Sequence, residues 1–379
     1  MKIINSFKIY FLLIALSLTN SVFCQGEGKE NPYPKNIIFM IGDGMGLGQI
    51  QAAMTHAQKP LNLEQFTVLG LQKTYAVNNY NTDSAASATA LASGEKTDNG
   101  VIGLNSNGEN TESIIEFLKG KGFKTGLVAT NTITHATPAG FVAHQPNRNM
   151  YEEIAMDISN SGVDVLIGGG LKHFNDRKDG ENLVKKMQNK GYKFSEDIDQ
   201  IDHSWSKILA LTASSHMPFM TNDRGDFLPI AVEKAINSLN NHNEKGFFIM
   251  IEGSQIDPAC HNQNQEQFLA EMLDFDKAIG VALEFARSDG ETLVVVTGDH
   301  ETGGVTVLNG NYEAGEVKVH FSTKGHTGTM IPVFSFGPQS ALFSGIFENT
   351  DFKQRFIESL NLNSICEFKE KEKEKKNKY

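Results

Sequence analysis

The sequence predicts a three-layer α/β/α sandwich built on a mainly parallel central sheet. Three observations carry this. Asn36–Ile41, Phe247–Ile251 and Thr292–Val296 are near-continuous apolar runs, the pattern of strands buried on both faces. Strand-like and helix-like segments alternate along the chain, with no internal repeat and no linker that divides it. Thirty-five glycines among 379 residues suit many tight strand–helix turns, and a 40% hydrophobic composition is enough for a large core.

Taken in order, Asn36–Ile41 is the first strand, and Gly42-Asp43-Gly44-Met45-Gly46 turns it into a helix near Leu47–Ala57. Val68–Val77 reads as a second strand. It leads to Thr82-Asp83-Ser84-Ala85-Ala86-Ser87-Ala88-Thr89-Ala90-Leu91-Ala92-Ser93-Gly94. There Asp83 is an N-cap, the small residues form a tightly packing helix, and Gly94 stops it. Glu112–Lys121 is helical, Lys124–Ala129 is a strand, and Pro138 begins a short helix. Tyr151–Ser161 is a helix and Val163–Ile167 a strand, closed by Gly168-Gly169-Gly170. From Leu171 to about Asp202 the pattern loosens, with one helix near Glu181–Asn189, and Lys207–Leu211 is a short strand. Pro229–Asn240 is a helix, Phe247–Ile251 a strand, Gln265–Arg287 a long helix and Thr292–Val296 a strand. Gly304–Leu308 and Val317–Phe321 suggest a hairpin, and Ile331–Phe336 is the last strand.

The net charge of -11 argues against nucleic acid and anionic membranes as partners. Lys2 and Lys8 precede the apolar run Ile9–Leu18, which is too short to span a bilayer. Residues 1–24 are therefore expected to be a signal peptide cleaved near Cys24 and Gln25. Bulky Phe23 fits a lipoprotein anchor at Cys24 poorly. No later segment reads as a membrane span, so a periplasmic or secreted protein is expected. A single domain is expected over 33–362, with 171–225 as a surface insertion and 363–379 as a solvated, charged tail. A Cys260–Cys366 disulfide is permitted but not required, and free thiols are expected.

Ligands of open α/β sheets bind outside the carboxyl ends of the strands. Three apolar strands end directly in acidic residues: Asp43, Glu252, and Asp299 with His300. Converging carboxylates repel and are costly to desolvate, and divalent cations remove that cost. Asp257 and His261 with the distant His326 make an N/N/O set suited to zinc with an open position. Asp43, Asp299 and His300 make a second such set. Glu252, Asp43 and the Thr137 hydroxyl make an oxygen-only set better suited to magnesium, with Asp43 shared. Ser84 stands in the first turn of its helix, where free N–H groups and the dipole favour a bound anion. Two zinc ions about 3.5–4 Å apart could activate that hydroxyl and stabilise a leaving oxygen in line. Arg148 can offer a bidentate guanidinium to the remaining phosphoryl oxygens. His56, His144, His173, His203, His216, His242 and His320 lack such company and are read as surface, core or supporting groups.

Six stretches together resemble the motifs of alkaline phosphatases. They are Ile41-Gly42-Asp43-Gly44-Met45-Gly46, Asp83 to Thr89, Thr137-Pro138-Ala139 with Arg148, Glu252 to Asp257 with His261, Thr297 to Gly304, and Gly325-His326-Thr327-Gly328. They occur in the family order and span roughly residues 35–340. The resemblance implies a homodimeric phosphomonoesterase that needs two Zn2+ and one Mg2+ and works through a phosphoserine. Carried over by residue, Ser84 is the nucleophile and Arg148 the phosphate clamp. Asp257, His261 and His326 hold one zinc, and Asp43, Asp299 and His300 the other. Asp43, Thr137 and Glu252 hold magnesium. His135 stands where some members have Asp, and Pro258 where others have Lys or His, both in the shell that tunes metal occupancy. A diesterase relative would commonly use Thr as nucleophile, a sulfatase a different local motif, and a non-catalytic metal binder would give Ser84 no role.

Overall fold

Ten strands form the central sheet of the computed structural model, which describes residues 33–362. The expected signal peptide, Cys24, Cys366 and the charged tail lie outside the described residues. In chain order the strands are β1 Asn36–Gly42, β2 Val68–Lys73, β3 Lys124–Thr132, β4 Val165–Gly169, β5 Lys193–Ser195, β6 Ile208–Leu211, β7 Phe247–Gly253, β8 Thr292–Gly298, β9 Glu301–Thr302, β10 Val305–Asn311, β11 Glu316–Phe321, β12 His326–Thr327, β13 Ile331–Phe336 and β14 Gly345–Glu348. The sheet order is β14-β2-β13-β8-β1-β7-β3-β4-β6-β5. Its neighbours are parallel except where β13 meets β2 and β8, so β13 alone runs against the rest. Two small ribbons, β10 with β11 and β9 with β12, stand apart from it.

Pleating sends alternate residues of a strand to opposite faces, and β1 shows the result. Ile37, Phe39 and Ile41 join one hydrophobic core, while Ile38 and Met40 join the other. Every residue of β1, β7 and β8 is buried, as helices covering both faces require. The small-residue helix Ser84–Ser93 lies under the first core, and the long helix Gln265–Asp289 under the second.

Register decides where the chemistry collects. Gly42 of β1 pairs with Gly253 of β7 and with Gly298 of β8, so the three central strands end level. These ends are also crowded. A Cβ on Gly298 would sit 2.5 Å from the Met45 carbonyl oxygen, and one on Gly253 would sit 2.6 Å from the Phe275 ring.

Three expectations need correction. Segment 171–225 does not lie on the sheet as a surface insertion: it supplies β5 and the fully buried β6, the outermost strands beyond β4. Ile331–Phe336 is not the last strand, because β14 pairs in parallel with β2 at the other edge. The helix Asp351–Ser359 follows and packs Phe352 and Phe356 on Phe39, with ring centroids 5.3 and 5.1 Å apart. The second strand also stops at Lys73, and residues 74–82 form a loop that leads into Ser84. No helix among the described residues is long and apolar enough to cross a membrane.

Candidate active site

The level strand ends bring the acidic residues together. Asp43 follows Gly42, Asp299 follows Gly298, and Glu252 pairs with Ile41 one step before Gly253; all three are fully buried. Backbone N–H groups of Gly44 and His300 donate to Asp299 Oδ1 at 3.0 and 2.9 Å, which fixes that carboxylate and leaves its other oxygen free to face the cluster.

Three groups of ligand-type side chains result, each with its atoms within 4.8 Å of one another: Asp257 with His261 and His326, Asp43 with Asp299 and His300, and Asp43 with His135 and Glu252. Each histidine of the first two groups is oriented from behind. His261 Nδ1 meets the Lys324 carbonyl oxygen, His326 Nδ1 meets that of Thr82 at 2.8 Å, and His300 Nδ1 meets Thr302 Oγ1 at 3.2 Å. Their Nε2 atoms therefore point inward, His261 to His326 at 3.1 Å and both onto Asp257 Oδ1 at 3.2 and 3.4 Å. His300 Nε2 lies 3.2 Å from Asp299 Oδ2 and 3.6 Å from Asp43 Oδ1. A metal-ligating histidine is held in this way, by a carbonyl or hydroxyl at its outer nitrogen.

The buried oxygens make the case for cations. Both carboxylate oxygens of Asp43 and of Glu252, Asp299 Oδ2 and the Thr137 hydroxyl are sealed from solvent without a hydrogen-bond partner. Such groups are too costly to leave unmatched unless protonated or held by a cation. Burial, with the charges of Asp299, Asp257 and Glu252 nearby, pushes the Asp43 carboxyl well above the usual range. Burial lifts Glu252 to about 7 and Asp299 to about 6. It acts in the same direction on Asp257, but hydrogen bonds to His261 and His326 outweigh it and hold that carboxyl low. The oxygen and imidazole donors thus fit divalent cations.

Ser84 sits beside these groups, 1% exposed, with Oγ 3.3 Å from His300 Nε2. Asp83 caps the helix by accepting from the Ala86 N–H at 2.9 Å, and Gly94 ends it in the left-handed region at φ 81°. Ser87 Oγ donates to the Asp299 carbonyl at 2.7 Å, tying the helix to the end of β8. The short helix Ala136–Ala139, which carries Thr137, approaches so closely that a Cβ on Gly140 would meet Ala88 Cβ at 2.7 Å. Arg148 donates from Nη1 to Asp83 Oδ2 at 2.9 Å, and its Nη2 lies 3.3 Å from His135 Nε2.

Every residue expected at the site lies in or against this cluster. His135 is placed more intimately than its expected supporting role, grouped directly with Asp43 and Glu252. Burial, with the Arg148 and His216 charges, drops it to about 3, which keeps the ring neutral, and its Nδ1 is buried without a partner. His216, read as a surface, core or supporting group, stands edge-on to His135 with centroids 5.8 Å apart. Sequence reasoning missed Thr302, whose hydroxyl donates to Asp257 and meets His300. It also missed Gln49, which donates to Glu301 and to the Thr302 carbonyl at 2.9 and 2.7 Å. A signal for Thr302 existed: it lies two residues after His300, inside a stretch already singled out. Cys260 is a buried free thiol, as expected, 3.7 Å from Gln49 Nε2.

The profile of the family described as alkaline phosphatase matches residues 34–322. Alkaline phosphatase 3 of Bacillus subtilis (strain 168) is 33% identical over 417 aligned positions, covering 87% of this chain and 89% of that protein. The solved structure of alkaline phosphatase from the Antarctic bacterium TAB5 matches with a TM-score of 0.82 at 41% identity, covering 87% of this chain and 98% of that one. A variant of the TAB5 enzyme, with the histidine numbered 135 in that protein replaced by Glu, has Mg bound in its M3 site and matches with a TM-score of 0.83, at the same identity and coverage.

Proposed function

The chain belongs to the alkaline phosphatase family and is a metal-binding phosphomonoesterase, and on that premise we propose that it works through a covalent phosphoserine at Ser84, with two zinc ions and one magnesium ion per chain. The observation that carries the proposal is the position of Ser84 Oγ, at a helix N-terminus, 3.3 Å from His300 Nε2 and next to the Asp83 that holds Arg148. Asp257, His261 and His326 would hold one zinc, and Asp43, Asp299 and His300 the other. Asp43, Thr137 and Glu252 would hold magnesium. Divalent cations there would supply Lewis-acid charge, lowering the pKa of a nearby hydroxyl and neutralising the oxygen on which negative charge develops.

The chain's own groups do the rest. Ser84 Oγ forms a bond to phosphorus as the ester P–O bond breaks, and the alcohol leaves with a proton. First-turn N–H groups and the Arg148 fork hold the non-bridging oxygens through both steps. Asp83 keeps one arm of that fork in place. Water then breaks the P–Oγ bond, inorganic phosphate departs and the serine hydroxyl regains its proton. A neutral imidazole at His135, in place of another carboxylate, makes the third set a weaker holder of magnesium than an all-oxygen set would be. Magnesium bound in the TAB5 variant with Glu at its position 135 supports this reading.

Elemental analysis of the isolated enzyme, paired with activity before and after chelation, tests the proposal alongside Ser84→Ala. Two zinc and one magnesium per chain are expected, with turnover abolished by chelation and by the mutation. A Ser84→Ala variant that hydrolysed monoesters at the parental rate would overturn it. We further propose export after removal of residues 1–24 and a working pair of identical chains. The expected results are an intact mass beginning at Gln25 and a sedimentation mass of two chains; a monomer would remove the second.

A further inference from the structure

We infer that Tyr80 is a specificity-determining residue, a fixed aromatic platform at the mouth of the site for the leaving group of monoesters whose leaving group is a planar aromatic ring. This rests on the reading of Ser84 as nucleophile. Tyr80 is 75% exposed, more than the other exposed large apolar side chains, and its hydroxyl makes no hydrogen bond among the described residues. An unanchored aromatic on a loop would be a poor platform, but this loop is stapled throughout. Asn79 Oδ1 accepts from the Asn81 N–H at 3.0 Å, and Asn99 Nδ2 donates to the Asn81 carbonyl at 2.9 Å. Asn99 Oδ1 accepts from the Asp83 N–H at 2.9 Å, and Asn78 Oδ1 from the Asn99 N–H at 3.0 Å. Four asparagines thus hold the backbone on both sides of the tyrosine.

The ring itself lies against Gly328. A Cβ there would fall 2.2 Å from Cε1 of Tyr80, so glycine is what lets the ring settle on the chain just after the His326–Thr327 strand. The neighbouring Asn81 donates to the His326 carbonyl at 3.1 Å, and Thr82 receives His326 Nδ1. Tyr80 is therefore built into the same unit as an expected zinc ligand, on the loop that leads into the Ser84 helix.

Depth gives the direction of the leaving group. Ser84, Asp43, Glu252, Asp299 and His300 are buried, whereas the side chains of His326 and His261 are 16% and 39% exposed. The site opens along a rim that runs from Arg148, whose side chain is 22% exposed, to His326 and the more open His261. In-line displacement sends the leaving oxygen away from the buried Oγ, hence outward toward the rim, where the Tyr80 loop is bonded to His326. A planar aromatic group there can stack, whereas a short alkyl group offers little surface.

The test compares kcat/KM for 1-naphthyl phosphate and for 2-glycerol phosphate in the parent, Tyr80→Ala and Tyr80→Phe, all zinc- and magnesium-loaded. The aryl-over-alkyl preference should fall about five- to tenfold in Tyr80→Ala, mainly through KM, and be kept by Tyr80→Phe. An unchanged preference overturns the inference. So does an equal loss on both substrates, which would assign Tyr80 to folding or to pairing of chains. Failure of the underlying reading looks different, because Ser84→Ala would then still turn over both substrates.

Discussion

Replacing Asp83 by Ala and by Ser separates two jobs that one carboxylate performs. Oδ1 accepts from the Ala86 N–H at 2.9 Å, and Oδ2 accepts from the Gly100 N–H at 3.0 Å and from Arg148 Nη1 at 2.9 Å. Removing an N-cap costs about 1 kcal/mol. Stranding the Gly100 N–H costs about 1–3 kcal/mol. The ion pair, with side chains 22% and 19% exposed, adds about 0.5 kcal/mol after screening. Asp83→Ala should therefore lose about 3 kcal/mol in urea unfolding with saturating zinc and magnesium. Serine is as good a cap as aspartate, so Asp83→Ser should retain about 1 kcal/mol of that. Both remove the anchor of Arg148, whose side chain must then be ordered on binding at a cost of about 1–2 kcal/mol. The inhibition constant for inorganic phosphate should rise about tenfold in each. Equal stabilities of the Ser and Ala variants would refute the capping argument, and unchanged phosphate inhibition would refute the positioning of Arg148 by Asp83.

Arg224 is fully buried and pairs with Glu271 and with Asp274 Oδ2 at 2.8 Å. Arg224→Met should cost about 3–5 kcal/mol in the same unfolding assay, and changing the two acids to Leu as well should recover most of it. A single variant as stable as the parent would contradict this. His144 Nε2 lies 2.9 Å from Glu116 Oε1, and that hydrogen bond raises His144 above 6.5. Burial works to raise Glu116, but the His144 bond together with the Ser113 hydrogen bonds and the His144 charge outweighs it and holds Glu116 below 4.5. The histidine's contribution is present below its unfolded value and lost as pH rises through the raised folded one; the glutamate's is present above 4.5 and lost as pH falls. The stability gap between the parent and His144→Gln should thus be widest between these values, near pH 6. It should shrink by less than about 1 kcal/mol toward pH 9, given the partial exposure. A gap that widened with rising pH would contradict the pairing.

Much of the site could be read because its residues sit at fixed offsets from strand ends. Asp43 and Asp299 each follow a glycine that closes an apolar run, and Glu252 precedes one, so the level register of β8, β1 and β7 alone brings them together. Ser84 was legible through its cap and the small residues behind it. What was not legible depends on contacts distant in sequence. Nothing local distinguishes His216 from other histidines, and His135, singled out as a supporting residue by the family resemblance, is brought against Asp43 and Glu252 only by the packing of distant segments. The support of His300 and Asp257 by Thr302 needs the β9–β12 ribbon, only two residues on each side. β14 escaped notice because Gly345–Glu348 is short and its Ile346 is exposed, and the role of β6 was hidden by the irregular chain around it.

Acid quenching of the enzyme during turnover of a phosphate monoester, followed by peptide mapping by mass spectrometry, tests most directly whether Ser84 carries the phosphoryl group. The expected result is a single phosphorylated peptide containing Ser84, absent from Ser84→Ala and from chelated enzyme. Phosphate found on a different residue while monoester turnover proceeds would contradict the assignment of Ser84.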